Sequence, residues 1–135
     1  MRVFLDANIL FSASQARSRM RVFLDVLFED GECLTSDYAV EESRRNLELK
    51  SPSSLPRLDV LVRKCELISA MVAEPGVSLK TKDVPILGGA IAGNPSHLLT
   101  GDERDFGPFF GKTIQGVQVV SPRMLADELV RLGLL

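Results

Sequence analysis

The chain has 135 residues, 45% of them hydrophobic and 25% charged, with 10 Gly, 7 Pro and a mean hydropathy of +0.12. That is about one globular domain's worth of chain, and it excludes disordered and collagen-like classes. With 16 Lys plus Arg against 18 Asp plus Glu the net charge is -2, which excludes nucleic-acid binding by bulk positive charge, so any RNA or DNA must be held locally.

Arg2-Val3-Phe4-Leu5 is a short β-branched and aromatic run that predicts a strand stopping at Asp6, and Ala7 to Phe11 opens a helix. Met20, Phe23, Leu24, Leu27 and Phe28 recur at intervals of three and four, which predicts an amphipathic helix from Gln15 to Glu29 ending at Gly31. A strand over 33–35 follows. Ser36 or Asp37 then caps a helix that runs to about Leu49, until Ser51-Pro52-Ser53-Ser54 breaks it. Leu55, Leu58, Leu61 and Val62 mark a further helix, and Glu66 to Val72 reads as a strand closed by Glu74-Pro75-Gly76. Asp83 stands before a helix with Pro85 in its first turn, ending at Gly93-Asn94-Pro95. His97-Leu98-Leu99-Thr100 is a strand, Val117 to Val120 is the last strand, and Pro122 opens a closing helix with Met124, Leu125, Leu129 and Leu132 inward.

Strands alternating with helices imply a parallel sheet, because parallel strands need crossovers that deposit helices on its faces. In such sheets the ligand site lies beyond the carboxyl ends of the strands. Cys33 and Cys65 are far apart and only one histidine is present, so a Cys/His zinc site cannot be assembled; both read as reduced, buried thiols. Asp6 interrupts the N-terminal apolar run before a signal-peptide core forms, and Val84 to Gly93, the longest weakly polar stretch, is about half the ~20 residues a membrane helix needs. The expectation is a cytoplasmic protein without a membrane span.

Acids dominate the predicted strand ends. Asp6 follows the first strand, Asp102 follows the strand ending at Thr100, Asp83 opens a helix, and Glu41 and Glu42 lie on the helix after the second strand. A single Asp at such a position is ordinarily a helix cap. Several carboxylates at one edge repel each other and raise each other's pKa, a cost that a bound cation removes. With oxygen donors and no clustered His or Cys, Mg²⁺ or Mn²⁺ is favoured, as one ion or as two about 4 Å apart, in the manner of sites that activate water for attack on phosphorus.

Helical geometry separates the adjacent glutamates. Val40, Ser43 and Leu47 define the inward stripe; Glu41 shares a face with Asp37, Arg44, Arg45 and Glu48, whereas Glu42 borders the apolar arc between Tyr38, Asn46 and Leu49. Glu42 is therefore the candidate ligand, and Glu41 a solvated charge pairing with Arg44 or Arg45.

These residues carry a resemblance. Val3-Phe4-Leu5-Asp6-Ala7-Asn8-Ile9-Leu10, Thr35-Ser36-Asp37-Tyr38-Ala39-Val40-Glu41-Glu42 with Leu47, Lys82-Asp83-Val84-Pro85-Ile86-Leu87 and Leu99-Thr100-Gly101-Asp102-Glu103-Arg104-Asp105-Phe106 together resemble the PIN-domain nucleases, in the family's order and from residue 1 to about 128. The resemblance implies a single domain over 1–135, a three-layer α/β/α sandwich with a central parallel sheet of four or five strands, and metal-dependent cleavage of RNA. By position it implies Asp6, Glu42, Asp83 and Asp102 as catalytic metal-binding acids holding Mg²⁺ or Mn²⁺, with Asp105 as a fifth ligand or, alternatively, a short-helix cap. It makes Asn8 and Thr100 polar supports to the metal-binding acids and candidates for substrate binding, while Arg104 is a substrate-binding candidate from its nearness in sequence to Asp102. Many small members are toxins of toxin–antitoxin pairs, so it also implies a homodimer and an antitoxin protein partner.

Other features weigh less. Asp6-x-Asn8 with Gly101-Asp102-x-x-Asp105 imitates haloacid-dehalogenase-like phosphatases, but an amide at residue 8 cannot serve as their general acid. A non-catalytic scaffold binding RNA or protein is the other alternative, weakened by retention of a costly acid cluster. His97 reads as structural, and Gly88-Gly89, with no Gly-Lys-Ser/Thr following, reads as close packing rather than a phosphate loop. Arg17, Arg19 and Arg21, then Arg44, Arg45, Lys80 and Lys82, are solvated charges by default and RNA-backbone candidates otherwise.

Overall fold

The computed structural model describes residues 1–69 and 83–135; the tail of the predicted third strand, the Glu74-Pro75-Gly76 turn, Lys80 and Lys82 lie outside the described residues. The elements are β1 (Arg2–Leu5), α1 (Ala7–Ala13), α2 (Arg19–Asp30), β2 (Glu32–Ser36), α3 (Asp37–Lys50), α4 (Leu55–Arg63), β3 (Glu66–Ile68), α5 (Val84–Gly93), β4 (His97–Leu99), α6 (Glu103–Phe106), β5 (Thr113–Ile114), β6 (Val117–Val120) and α7 (Pro122–Arg131). Short 3-10 turns lie at Pro52–Ser54 and Gly107–Phe109.

The strands form one sheet in the order β3-β2-β1-β4-β6-β5, parallel throughout except for the β5–β6 pair. Among the described residues the sheet thus has six strands rather than four or five. The addition is β5, joined to β6 by Gln115-Gly116, both at positive φ (49° and 86°), as a tight hairpin turn requires. Strand order reverses between β1 and β4, which are neighbours at the centre of the sheet. Their register sets Leu5 beside Leu99, so Asp6 and Thr100 leave the sheet side by side.

Helices cover both faces. On β2, Leu34 and Ser36 turn toward α5, where Gly93 and Gly89 approach them, while α2 and α3 pack on the other side of the same strand. Val3, Phe4, Leu5, Leu34, Leu98, Leu99, Val119 and Val120 are essentially water-free, and Leu24, Leu47, Leu58, Leu87 and Leu129 close over them from the helices. Serines set helix starts: Ser18, Ser36 and Ser121 accept from the amides of Arg21, Ala39 and Met124, which is why α2 begins at residue 19 rather than 15 and why Ser36, not Asp37, caps α3.

The inward stripe of α3 is Ala39, Ser43 and Leu47, with Val40 only half-buried. Leu132 is exposed because α7 stops at Arg131. Gly31 is extended rather than left-handed; glycine is required there because a Cβ would stand 2.1 Å from the carbonyl oxygen of Met1. Cys33 is buried and Cys65 half-buried, with no disulfide, and burial pushes both thiols up to about 12.

The two glycines of α5 predict opposite outcomes. A Cβ on Gly93 would lie 2.5 Å from Leu34 Cδ1, whereas one on Gly89 would make ordinary contacts with Ser36 and Phe4. Gly93→Ala is expected to lower stability by about 1–3 kcal/mol through overpacking, and Gly89→Ala to be neutral or stabilising by up to about 1 kcal/mol from helix propensity. Urea denaturation of the two variants checks this; equal effects would contradict the packing.

Candidate functional site

At the reversal between β1 and β4, where crevices form in open α/β sheets, the carboxyl ends of the strands open into a cavity of about 320 Å³. It is lined by Asp6, Ala7, Asn8 and Phe11 from β1 and α1, Glu42, Asn46 and Lys50 from α3, Asp83 before α5, and Gly101 and Asp102 after β4. Four segments distant in sequence thus deliver Asp6, Glu42, Asp83 and Asp102 to one place. Glu41 is exposed and outside the lining, while Glu42 is half-buried within it.

Asp6 is nearly buried and serves as the N-cap of α1. Its Oδ1 accepts from the Ala7 amide at 2.6 Å, and its Oδ2 accepts from Thr100 Oγ1 at 2.7 Å and Asn8 Nδ2 at 3.1 Å. The Asn8 Oδ1 accepts from the Gly101 amide at 2.8 Å, and Thr100 Oγ1 accepts from the Asp102 amide at 3.1 Å. Asn8 and Thr100 therefore tie the Asp6 loop to the Asp102 loop. Thr100 is fully buried with its hydroxyl committed to these partners, so it positions acids and does not face substrate.

Asp102 Oδ1 accepts from the Asp105 amide at 3.0 Å and caps α6. Asp83 stands in the cap position of α5, but its carboxylate does not cap that helix and faces the cavity instead. Asp83, Asp102 and Asp105 each offer an oxygen within 4.8 Å of the other two. Asp105 thus joins Asp83 and Asp102 although it is not among the lining residues; one turn of α6 suffices to bring it back beside the residue that caps it.

Chains of similar fold are known from solved structures. A chain of VapBC2 from Rickettsia felis, bound to a DNA fragment from its promoter, matches with a TM-score of 0.67 at 19% identity, covering 90% of this chain and 98% of that one. A chain of DNA-bound VapBC from Salmonella typhimurium matches at 0.63 and 15% identity, and one of FitAcB from Neisseria gonorrhoeae at 0.57 and 19%, each covering 90% of this chain and 98% of its own. The fold is PIN-like. No protein-family model and no curated protein sequence matches the chain.

At this site the electrostatics are strained toward neutralisation. The Asp6 carboxyl is pushed up to about 6, first by loss of water, opposed by the Thr100 and Ala7 hydrogen bonds, and raised further by the charges of Glu42 and Asp102. A cation relieves that strain. Among the described residues the lining offers carboxylate oxygens and no His or Cys, and the hard oxygen donors of Asp83, Asp102 and Asp105, within 4.8 Å of one another, suit a hard divalent cation. Asp83, Asp102 and Asp105 would hold the ion, with Asp6 and Glu42 on the same cavity wall.

The remaining candidates are placed elsewhere. Arg104 is exposed on α6 and does not line the cavity. Arg44 pairs across to Asp59 of α4 at 2.8 Å rather than to Glu41, Arg45 is exposed, and Arg21 lines a separate small cleft with Asp25, Arg57 and Lys64. Arg17 and Arg19 are exposed. His97 begins β4, at the amino end of that central strand and so away from the cavity, between Ser96 Oγ at 2.7 Å and Glu128 at 3.0 Å, a structural arrangement. Sequence reading passed over Phe11 and Lys50. The available signal was that Glu42, Asn46 and Lys50 recur every four residues along α3 and so share its face.

Among the described residues no helix is long and apolar enough to cross a membrane.

Proposed function

We propose that this chain is a divalent-metal-dependent endoribonuclease that hydrolyses RNA phosphodiester bonds at the acidic cavity, with Asp6, Glu42, Asp83 and Asp102 as its catalytic acids and Asp105 as a further metal ligand. The observation that carries the reading is the convergence of these carboxylates, from separate segments, at the β1–β4 reversal. A divalent ion in such a site lowers the pKa of a water and offsets the charge that builds on phosphate oxygens during hydrolysis. Asp6 is held rigidly by Asn8, Thr100 and the start of α1, so it keeps its orientation when the substrate arrives. Glu42 lines the cavity from α3 without capping a helix, which supports its assignment to the attacking water.

The biological setting follows the same line. The similar chains come from structures of VapBC and FitAcB, and the sequence resembles the PIN-domain nucleases, many small members of which are toxins of toxin–antitoxin pairs. We take this chain as the toxin of such a pair, cytoplasmic, homodimeric and inhibited by an antitoxin protein. Two variants test the enzyme. Glu42→Gln is expected to lower Mn²⁺-supported cleavage of labelled RNA by about a hundredfold or more, while Glu41→Gln stays within about twofold of wild type. The reverse order, or equal losses, would overturn the assignment.

A further inference from the structure

The acidic cavity has a cation in its wall. Among the described residues Lys50 is the one basic side chain that lines it, alongside four carboxylates. Among the described residues, Lys50 makes no ion pair with any of them; its ammonium sits over the Phe11 ring, 5.8 Å from the centroid. An ammonium in the lining of an acidic cavity, held on an aromatic face instead of collapsing onto a carboxylate, stays available to an anion.

The helix explains how it is held. Glu42, Asn46 and Lys50 fall on one stripe of α3, about 12 Å long at 1.5 Å per residue, and side chains lean toward a helix N-terminus, so the Lys50 stem runs back toward Asn46 and the acids. Across the groove stand Asn8 and Phe11 of α1. The lining therefore joins four carboxylates to a cation that sits on a ring two turns of α3 beyond Glu42. A lone metal ion needs only the carboxylates. A phosphodiester chain needs both, since a phosphate placed at the acids carries its neighbour along the groove. A last-turn lysine also favours the end of its own helix, but that role does not require it to line the cavity.

We infer that Lys50 binds a backbone phosphate next to the one being cut, with Phe11 as the positioning residue that keeps the ammonium off the acids. The inference rests on the ribonuclease reading above and names the part of the substrate that the site grips outside the bond it breaks. It makes the substrate a single strand that runs along the α1–α3 groove, with the contact made to its backbone.

The test is steady-state cleavage of a labelled single-stranded RNA oligonucleotide in Mn²⁺ across a series of KCl concentrations. For Lys50→Gln, KM is expected to rise about tenfold with kcat within about threefold. The slope of log kcat/KM against log salt should become shallower by about 0.7, the contribution of one phosphate contact on a single strand. Lys50→Arg should restore both, Phe11→Leu should give a smaller change in the same direction, and calorimetric Mn²⁺ affinity should be unchanged in all three. An unaltered KM and salt slope in Lys50→Gln, or an equal defect in Lys50→Arg, overturns the inference while leaving the nuclease reading intact. A loss confined to kcat overturns it too, by placing Lys50 in the chemistry. Wild type that cuts no RNA in Mn²⁺ removes the nuclease reading and this inference with it.

Discussion

Asp102→Asn is expected to lower Mn²⁺-dependent RNA cleavage by about a thousandfold, the scale on which loss of one preorganised electrostatic partner acts. It should also weaken Mn²⁺ binding while changing the melting temperature in EDTA by no more than a degree or two. The two readouts separate because Asp102 has two roles. Its Oδ1 caps α6 by accepting from the Asp105 amide, and an Asn carbonyl can keep that bond, but its negative charge among Asp83 and Asp105 cannot be replaced by an amide. Asp6→Asn is a less clean variant. Both Asp6 oxygens accept hydrogen bonds, from Ala7 on one side and from Asn8 and Thr100 on the other, so an amide NH₂ must face a donor whichever way it turns. Asp6→Asn should lose activity and stability together. A large drop in metal-free stability for Asp102→Asn, with metal affinity intact, would make Asp102 a structural cap instead.

The second large effect is on pH and metal dependence of stability. The Asp6 carboxyl lies at about 6 in the folded protein against an ordinary value of 3.8, so the folded state holds its proton more tightly than the unfolded chain. Its stabilising contribution is full below about pH 4 and is lost as pH rises through 6, a total of about 3 kcal/mol. Glu66 works in the opposite sense: hydrogen bonding to Arg2 lowers its pKa, so its contribution is lost only as pH falls into the acid range. Melting curves in EDTA should therefore show a fall in stability between pH 4.5 and 7, and subtracting the profile of Asp6→Asn should isolate it. Mn²⁺ at a fixed concentration about 100 times its Kd at pH 7.5 should restore about 2.7 kcal/mol there, roughly 10 °C, and less at pH 5, where a proton on Asp6 removes a negative charge beside the ion. A metal-free protein whose stability climbs steadily from pH 4.5 to 7 in parallel with the Asp6→Asn variant would contradict the burial argument.

What the sequence made legible was the part that periodicity and local chemistry write directly. The run at Val3-Phe4-Leu5 ending in Asp6, the Leu98-Leu99-Thr100 run before Asp102, and the helices with their Ser caps and Pro starts were readable because strands, caps and stripes each leave a local pattern. The same geometry separated Glu42 from Glu41 one residue away. The β5 strand was not readable: Thr113-Ile114 is too short to display a period, and its turn uses Gln115-Gly116 where an Asn-Gly pair would have announced it. Asp105 was ambiguous between ligand and cap because its place depends on a single turn of α6, which Asp102 caps. Phe11 and Lys50 meet only when α1 packs on α3, a tertiary contact that neither segment signals alone. Arg104, chosen for nearness in sequence to Asp102, projects from the outer side of α6, since adjacent helical residues point in different directions.

The most direct test of the central claim is cleavage of a labelled single-stranded RNA by the wild-type protein with Mn²⁺ and with EDTA, alongside Asp102→Asn purified identically to control for contaminating nuclease. The account predicts cutting with Mn²⁺, none with EDTA and at most a trace in the variant. Cutting that survives EDTA, or that persists in Asp102→Asn at the wild-type rate, would contradict it.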